Sequence, residues 1–182
     1  MDEVGRGPLA GPVVASAVIV RDFSFYSRID DSKKLSVGQR EASFAEILAK
    51  CIVSLGVVES AVIDRINIFQ ATMKAMEQAV SRLADTPDAV LVDGPAKPQL
   101  PFQIFPIVNG DALSFSIACA SIVAKVTRDR MMDYYDCLYP QYGFSKHKGY
   151  GTQGHLEALK KYGPCDIHRK SFEPVKGLWK RF

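Results

Sequence analysis

The chain has 182 residues, of which 47% are hydrophobic and 24% charged, with a formal net charge of +3 and a pI of about 8.6. This composition is typical of one globular domain with a buried core, and no repeat, low-complexity tract or linker divides it. The longest apolar runs fall short of the ~20 residues that span a bilayer. A mildly basic chain of this kind permits a nucleic-acid partner without requiring one.

The cysteine pattern and the N-terminal residues indicate in which cellular compartment the protein is expected. Four cysteines are scattered without C-x-x-C spacing, which favours reduced thiols over a disulfide framework or a zinc site. An acidic pair follows Met1 in place of the basic residues that open a signal peptide. We therefore expect a cytoplasmic protein. We also expect it to be a monomer.

The predicted elements alternate between strands and helices. Apolar, β-branched runs predict strands, and apolar residues spaced three or four apart predict helices. Ser36 and Gln39 form a capping-box pattern before the first helix. Pro106 indicates that the last strand lies near a sheet edge. In chain order we predict a strand at 11–20, a helix at 37–50, a strand at 51–58, a helix at about 63–83, strands at 88–93 and 103–108, and helices at 112 to about 139 and at 153–162.

This order predicts an α/β domain with helices on both faces of a mixed β-sheet. We expect one catalytic domain over residues 1–182. Its core of sheet and helices would occupy about 1–140, and a C-terminal extension of loop and helix about 141–182.

Four acidic residues adjoin hydrophobic segments. Asp2 and Glu3 precede a glycine–arginine–glycine turn, while Asp93 and Asp111 end or follow apolar runs beside a glycine. Oxygen ligands of this kind suit hard cations such as Mg²⁺ and Mn²⁺. A two-metal site would relieve the repulsion between clustered carboxylates and serve phosphoryl-transfer chemistry. Asp-Gly and Gly-Asp are also common turn dipeptides, so Asp93 or Asp111 taken alone more often indicates a turn than a metal ligand.

Longer blocks of sequence point to one family. Any one block is weak evidence, but their order along nearly the whole chain resembles ribonuclease HII, the type 2 ribonuclease H family. The blocks are DEVGRGPLAGPVVASAVI, DDSKKLS, NIFQATMKAM, LVDG, NGDALSFSIACASIVAKVTRD, YPQYGFSKHKGYGTQGH and HRKSFEPV.

The resemblance implies an RNase H-like fold with a C-terminal helical extension. It implies an Mg²⁺- or Mn²⁺-dependent endonuclease that hydrolyses RNA paired with DNA and produces 5′-phosphates. Embedded single ribonucleotides in duplex DNA would be cut on their 5′ side, as in ribonucleotide excision repair. By motif, Asp2, Glu3, Asp93 and Asp111 match the catalytic, metal-binding carboxylates of the family.

The same resemblance implies how the substrate is recognised. Gly5, Arg6 and Gly7 match the turn with which the family senses a ribonucleotide, and Tyr150 matches its junction-reading tyrosine. Recognising RNA requires sensing a 2′-hydroxyl, which backbone groups of a glycine turn can do at close range. A supporting aromatic in a glycine-rich loop is the alternative interpretation of Tyr150.

Basic residues near these motifs are candidate phosphate contacts, because neutralising the backbone supplies most sequence-independent affinity. Lys33 and Lys148 are our individual choices. The wider set adds Lys34, Lys125, Arg128, Lys146 and Arg169. Asp129 is expected to be a salt-bridge partner. The three histidines lack ligand spacing, and structural hydrogen bonding is expected of them.

Both ends of the chain raise further expectations. Only Met1 precedes the acidic pair, where the family has several residues, so we expect a weakened first strand and a terminal ammonium competing with metal. Residues 177–182 (GLWKRF) fit either an ordinary tail or a docking peptide for a sliding clamp. Ribonuclease HIII and a non-catalytic hybrid-binding module are the alternatives to a ribonuclease HII.

Overall fold

The computed structural model describes residues 1–179 of the chain. The strands are β1 (Asp2–Val4), β2 (Val13–Val20), β3 (Cys51–Val58), β4 (Ala89–Asp93) and β5 (Gln103–Ile107). The helices are α1 (Val37–Lys50), α2 (Ser60–Ser81), α3 (Gly110–Leu113), α4 (Phe115–Leu138), α5 (Phe144–His147), α6 (Gln153–Tyr162) and α7 (Val175–Trp179).

The strands form two sheets that meet at Met1. In the first sheet β1, β2 and β3 are antiparallel, and Asp2 lies opposite Ser16. In the second sheet β4 and β5 are parallel. The Met1 nitrogen donates to the Leu91 carbonyl at 2.7 Å, and the Asp93 amide donates to the Met1 carbonyl at 3.1 Å. These two hydrogen bonds place the start of β1 beside β4.

Helices cover both faces, as predicted. On one face α2 packs against β2 and β3, burying residues such as Ala17 and Met76. At Gly56 the approach is so close that a Cβ would lie 1.9 Å from the Ala75 carbonyl oxygen, so only glycine fits. On the other face α1 and α4 bury Ile47 and Ile122. The mixed α/β architecture is confirmed.

Local signals in the sequence located several elements correctly. The bounds of β3 and α6 agree with the prediction. Helix α1 begins after a complete capping box, in which the Ser36 hydroxyl accepts from the Gln39 amide at 3.3 Å and the Gln39 side chain accepts from the Ser36 amide at 2.9 Å. Pro106 lies in β5, at the edge of its sheet.

The predicted helix from residue 112 to about 139 is wrong in one respect, because it is two helices. Ser114 has an extended backbone (φ −125°, ψ 122°) and separates α3 from α4. Its amide donates to the Gly110 carbonyl at 2.8 Å and closes α3, while its carbonyl accepts from the Ala118 amide at 2.9 Å and opens α4. The break gives α3, and with it Asp111, a direction independent of α4.

A helical C-terminal extension is also present. Helices α5, α6 and α7 pack around Phe144, Leu159 and Val175 and against Leu9 and Met132 of the core. The short helices α5 and α7 were not predicted. Within residues 1–179, no helix is long and apolar enough to cross a membrane.

Candidate active site

Three of the four acidic residues lie on β1 and β4, two strands that meet at Met1. Asp2 is on β1, and only 6% of its surface is exposed. One of its carboxylate oxygens accepts from the Glu3 amide at 2.7 Å. Asp93 is the last residue of β4, and its amide is bonded to the Met1 carbonyl. Asp2, Glu3 and Asp93 are therefore brought to one region by the pairing around Met1.

Asp111 joins this region through the side chain of Asp93. The Asp93 Oδ1 atom accepts from the amides of Gly110 (2.7 Å) and Asp111 (3.3 Å), in the first turn of α3. Gly110 allows this close approach, because a Cβ there would lie 3.2 Å from Asp93 Oδ1 and 2.6 Å from Ile117 Cδ1, and both side chains would have to shift. Asp93 and Asp111, which are distant in sequence, are thus linked directly.

Burial makes this region unfavourable for negative charge. It raises the pKa of Asp2 to about 7, and the neighbouring Glu3 and Asp93 carboxylates contribute to the shift. The pKa of Glu3 is also raised by burial, although the charge of Arg6 opposes the shift. For Asp111, burial raises the pKa, and the charges of Asp31 and Asp93 add to it. A cation between these groups would relieve both effects.

The donor set fits a hard divalent cation. It offers carboxylate oxygens without thiolate or imidazole, as Mg²⁺ and Mn²⁺ prefer. Across residues 1–179, no three acidic, histidine or cysteine side chains already stand in a finished coordination geometry. One oxygen of Asp93 is instead committed to the amides of α3. The nearby cations are peripheral, because Arg6 lies 3.3 Å from Glu3 and Lys33 lies 4.0 Å from Asp111 with 82% of its side chain exposed.

The terminal ammonium lies close to the acidic residues, as expected. Burial lowers its pKa to about 6, against the opposing charges of Asp2, Asp93 and Glu3. The group donates to the Leu91 carbonyl.

The turn of Gly5, Arg6 and Gly7 is held from beneath by Arg169. This guanidinium donates to the carbonyls of Gly5 (2.5 Å), Arg6 (2.9 Å) and Gly11 (2.9 and 3.0 Å). Gly5 has φ +94°, a backbone conformation that favours glycine. The carbonyls of the turn are thus turned inward and fixed.

A second arginine, Arg128 of α4, connects this segment to the loop before Tyr150. It donates to the carbonyls of Pro12 (2.9 Å), Ala10 (3.1 Å) and Lys148 (2.9 Å). Arg128 and Arg169 are fully buried, so the interpretation of both as phosphate contacts was wrong. Burial lowers their pKa values to about 10 and about 9, which leaves both charged at neutral pH.

Tyr150 borders the turn. A Cβ placed on Gly7 would lie 3.7 Å from Tyr150 Cε1, and 43% of the tyrosine remains exposed. Lys148, two residues earlier, forms an ion pair with Asp133 and is less available than Lys33. The structure thus brings the turn and Tyr150 together on one exposed surface.

Two expectations about neighbouring polar residues are confirmed. Asp129 is a salt-bridge partner, with its carboxylate 2.8 Å from the Lys125 ammonium. The histidines are hydrogen-bonded to backbone and to each other, as at His155 Nε2 and His168 Nε2 (3.0 Å). Most carbonyl partners of Arg128 and Arg169 are more than 100 residues away in sequence, which is why no local pattern revealed the structural roles of these two arginines.

Comparisons with known proteins agree with the motifs. A family model described as ribonuclease HII matches residues 1–175. A ribonuclease HII of Geotalea daltonii is 54% identical over 177 residues, which cover 97% of this chain and 82% of that protein.

Solved structures give the same result for the fold. The ribonuclease H2 of Pyrococcus horikoshii has a TM-score of 0.83 at 25% identity, covering 99% of this chain and 95% of that one. The ribonuclease HII in a PCNA complex from Archaeoglobus fulgidus has a TM-score of 0.78 at 25% identity, covering 94% and 93%. The chain therefore belongs to the ribonuclease HII family of endonucleases, which cut RNA/DNA hybrids and leave 5′-phosphate ends.

Proposed function

We propose that this protein uses Mg²⁺ or Mn²⁺ to hydrolyse the RNA strand of RNA/DNA hybrids and also cuts 5′ of single ribonucleotides embedded in duplex DNA. The observation that carries the metal part is the link from Met1 through Asp93 to Asp111. It gathers acidic residues from three separate parts of the sequence beside the buried Asp2.

Asp2, Glu3, Asp93 and Asp111 would hold the metal ions. Bound divalent ions supply the charge that activates a water molecule and stabilises a departing 3′ oxygen. Asp2 would have to be ionised to act as a ligand; burial raises its pKa to about 7, and a bound cation would favour the ionised form. The peptide amides of Gly110 and Asp111 hold Asp93 Oδ1 and so orient that carboxylate.

The glycine turn would sense the ribonucleotide through its amides. A trans peptide holds its C=O and N–H on opposite sides. Because the carbonyls of Gly5 and Arg6 point inward to Arg169, the amides of Arg6 and Gly7 point the other way, at exposed positions. An outward N–H can donate to a 2′-hydroxyl oxygen, which a deoxyribose lacks.

Tyr150 would test the next sugar. Its half-exposed ring lies against Gly7, so a sugar that follows the sensed ribonucleotide would meet the ring face. A deoxyribose packs on such a face more closely than a ribose, whose 2′-hydroxyl would lose hydration there. This arrangement favours a junction of ribonucleotide and deoxyribonucleotide.

The proposal is tested with a labelled DNA duplex that contains one ribonucleotide. With Mn²⁺ or Mg²⁺ we expect a single cut on its 5′ side, leaving a 3′-hydroxyl and a 5′-phosphate, and no product with a chelator. The control is a duplex of the same sequence without the ribonucleotide. Saturable Mn²⁺ binding without product would instead favour a hybrid-binding module.

We further propose a sliding-clamp contact for this chain. The support is the Archaeoglobus fulgidus relative, which was solved in complex with PCNA. The predicted docking peptide spans residues 177–182, and residues 180–182 lie outside the described part of the chain. Calorimetry with a purified bacterial clamp should give saturable binding that is lost when residues 177–182 are removed. Unchanged binding would place the contact elsewhere.

A further inference from the structure

Three histidines and a cysteine lie behind Tyr150. His155 and His168 are fully buried, and their Nε2 atoms are 3.0 Å apart. His147 stacks on His155 with ring centroids 4.5 Å apart and planes at 14°. The backbone amide of Cys165 lies 2.9 Å from His168 Nδ1. None of these groups touches the acidic residues, and the proposed reaction does not use them.

The hydrogen bonds determine where each ring carries its proton. His155 Nδ1 lies 2.9 Å from the Tyr150 carbonyl, which only accepts, so this nitrogen carries a hydrogen. His168 Nδ1 lies 2.9 Å from the Cys165 amide, 3.1 Å from the Cys165 thiol and 3.3 Å from the Cys165 carbonyl. That carbonyl already accepts from the His168 amide, so the shorter contact with the Cys165 amide assigns the ring hydrogen to Nε2. The hydrogen bond between the two rings therefore runs from His168 Nε2–H to His155 Nε2. The contacts at His155 Nδ1 and at His168 Nδ1 indicate the same direction for this hydrogen bond.

The adjoining loop is fixed in the same manner. His147 Nε2 lies 3.0 Å from the Tyr142 carbonyl and must donate, so His147 Nδ1 accepts from the Gly149 amide at 3.3 Å. The Tyr150 carbonyl also accepts from the Thr152 amide at 2.8 Å, so both of its lone pairs are used.

This anchoring restricts the backbone at Tyr150, which stands between Gly149 and Gly151. Gly149 has φ +86°, and glycines give a backbone many alternative conformations. An exposed ring on such a segment would not keep a fixed position against Gly7 by itself. The hydrogen bond from His155 to the Tyr150 carbonyl adds a buried side-chain anchor to the backbone hydrogen bonds that Tyr150 makes with His147 and Gly149 makes with Leu9.

We propose that His155, held in one tautomer by His168, is a positioning residue for Tyr150 and so for the preference for ribonucleotide–deoxyribonucleotide junctions. This inference rests on the proposed role of Tyr150. His155 acts through the tyrosine backbone and does not contact the substrate.

Two substitutions separate the two nitrogens of His155. The asparagine amide reaches the position of Nδ1, whereas the glutamine amide reaches that of Nε2. His155→Asn retains a donor to the Tyr150 carbonyl, and His155→Gln retains only the contact with His168. The readout is the ratio of kcat/KM for an embedded single ribonucleotide to kcat/KM for a continuous RNA/DNA hybrid. We expect His155→Gln to lower this ratio about tenfold and His155→Asn to keep it within about threefold.

Tyr150→Ala is measured beside them. If it leaves the ratio unchanged, the proposed role of Tyr150 fails. If it collapses the ratio while His155→Gln does not, only the positioning role fails. An equal loss on both substrates for His155→Gln also contradicts the inference, because it indicates general damage.

A measurement on the unmodified protein does not depend on whether the variants fold. Nitrogen-15 NMR of the histidine rings should show His155 protonated at Nδ1 and His168 at Nε2. The opposite tautomer in either ring, or a charged ring at neutral pH, would overturn the proposal.

Discussion

The four acidic side chains and the two buried arginines differ in whether the protein itself supplies partners for their charges. Arg128 and Arg169 donate seven hydrogen bonds to backbone carbonyls, so burial leaves their donors largely satisfied. Asp2 is equally buried beside other carboxylates, and its pKa is raised. The arginines hold the backbone of the glycine turn and of the loop before Tyr150, whereas the acidic residues repel one another.

This difference indicates which charges serve the structure and which serve the chemistry. A charge needed for stability is expected to have its partners within the protein. A charge that lacks them is expected to find its partner in a bound ligand. The following predictions separate the two cases, beginning with the largest effect.

Asp2→Asn should lower cleavage by on the order of a thousandfold, because the buried acidic group loses a ligand charge. The same change should stabilise the metal-free protein at pH 8 by roughly 2 kcal/mol. Because burial raises the folded pKa of Asp2 from 3.8 to about 7, stability is lost as the pH rises through this range, and the loss is complete above about pH 7. Cleavage assays and chemical denaturation measure the two effects. Near-normal turnover would contradict the assignment of Asp2.

Arg169→Met should destabilise the protein by about 3 kcal/mol, since three buried carbonyls lose their donor. Urea denaturation measures the loss. Arg21→Gln is the matched control, because it removes an exposed arginine whose ion pair with Asp85 contributes little. A similar small change in both variants would show that the buried arginine does not hold the turn.

The pH dependence of stability should have one sign for the buried histidines, whose pKa values are lowered, and the opposite sign for Asp2, whose pKa is raised. Burial lowers the folded pKa of His155 to about 4 and that of His168 to about 3, below the ordinary value of 6.5. The unfolded chain therefore binds more protons, and stability is lost as the pH falls from about 6.5 towards 4. For His155→Asn, this loss should be smaller by up to about 1.4 kcal/mol per pH unit. Parallel pH profiles for variant and wild type would exclude a neutral buried histidine.

Lys33→Gln should have the smallest effect. Lys33 is exposed beside Asp111, so removing it should reduce the salt slope of hybrid binding by about one. Lys148→Gln should reduce the slope less, because Asp133 already neutralises that charge. Binding titrations at several salt concentrations give both slopes. A larger effect for Lys148 would reverse the order of the two lysines.

Elements with strong local signals could be predicted from sequence. The β-branched run of β3 and the apolar spacing of α6 are self-contained, and the Ser36 capping box closes on itself. The break at Ser114 could not be predicted, because neither proline nor glycine marks it within a helical pattern. It depends on how α3 packs beside β4.

The site shows the same division. The acidic residues stood out because carboxylates beside glycines suggest a metal-binding chemistry. Arg128 and Arg169 were misinterpreted because an arginine suits a phosphate and a carbonyl equally well, and only burial distinguishes the two. The proton positions in His155 and His168 depend on carbonyl and amide partners that come from the folded backbone.

The space around Gly110 restricts which residues can replace it. A methyl group there would press on both Asp93 and Ile117, so even alanine would shift an acidic side chain that belongs to another strand. Directed-evolution libraries that alter metal preference should therefore leave this codon unchanged and vary residues on the solvent side of α3. Because Gly110 has no side chain, the start of α3 can lie directly against Asp93 at the end of β4.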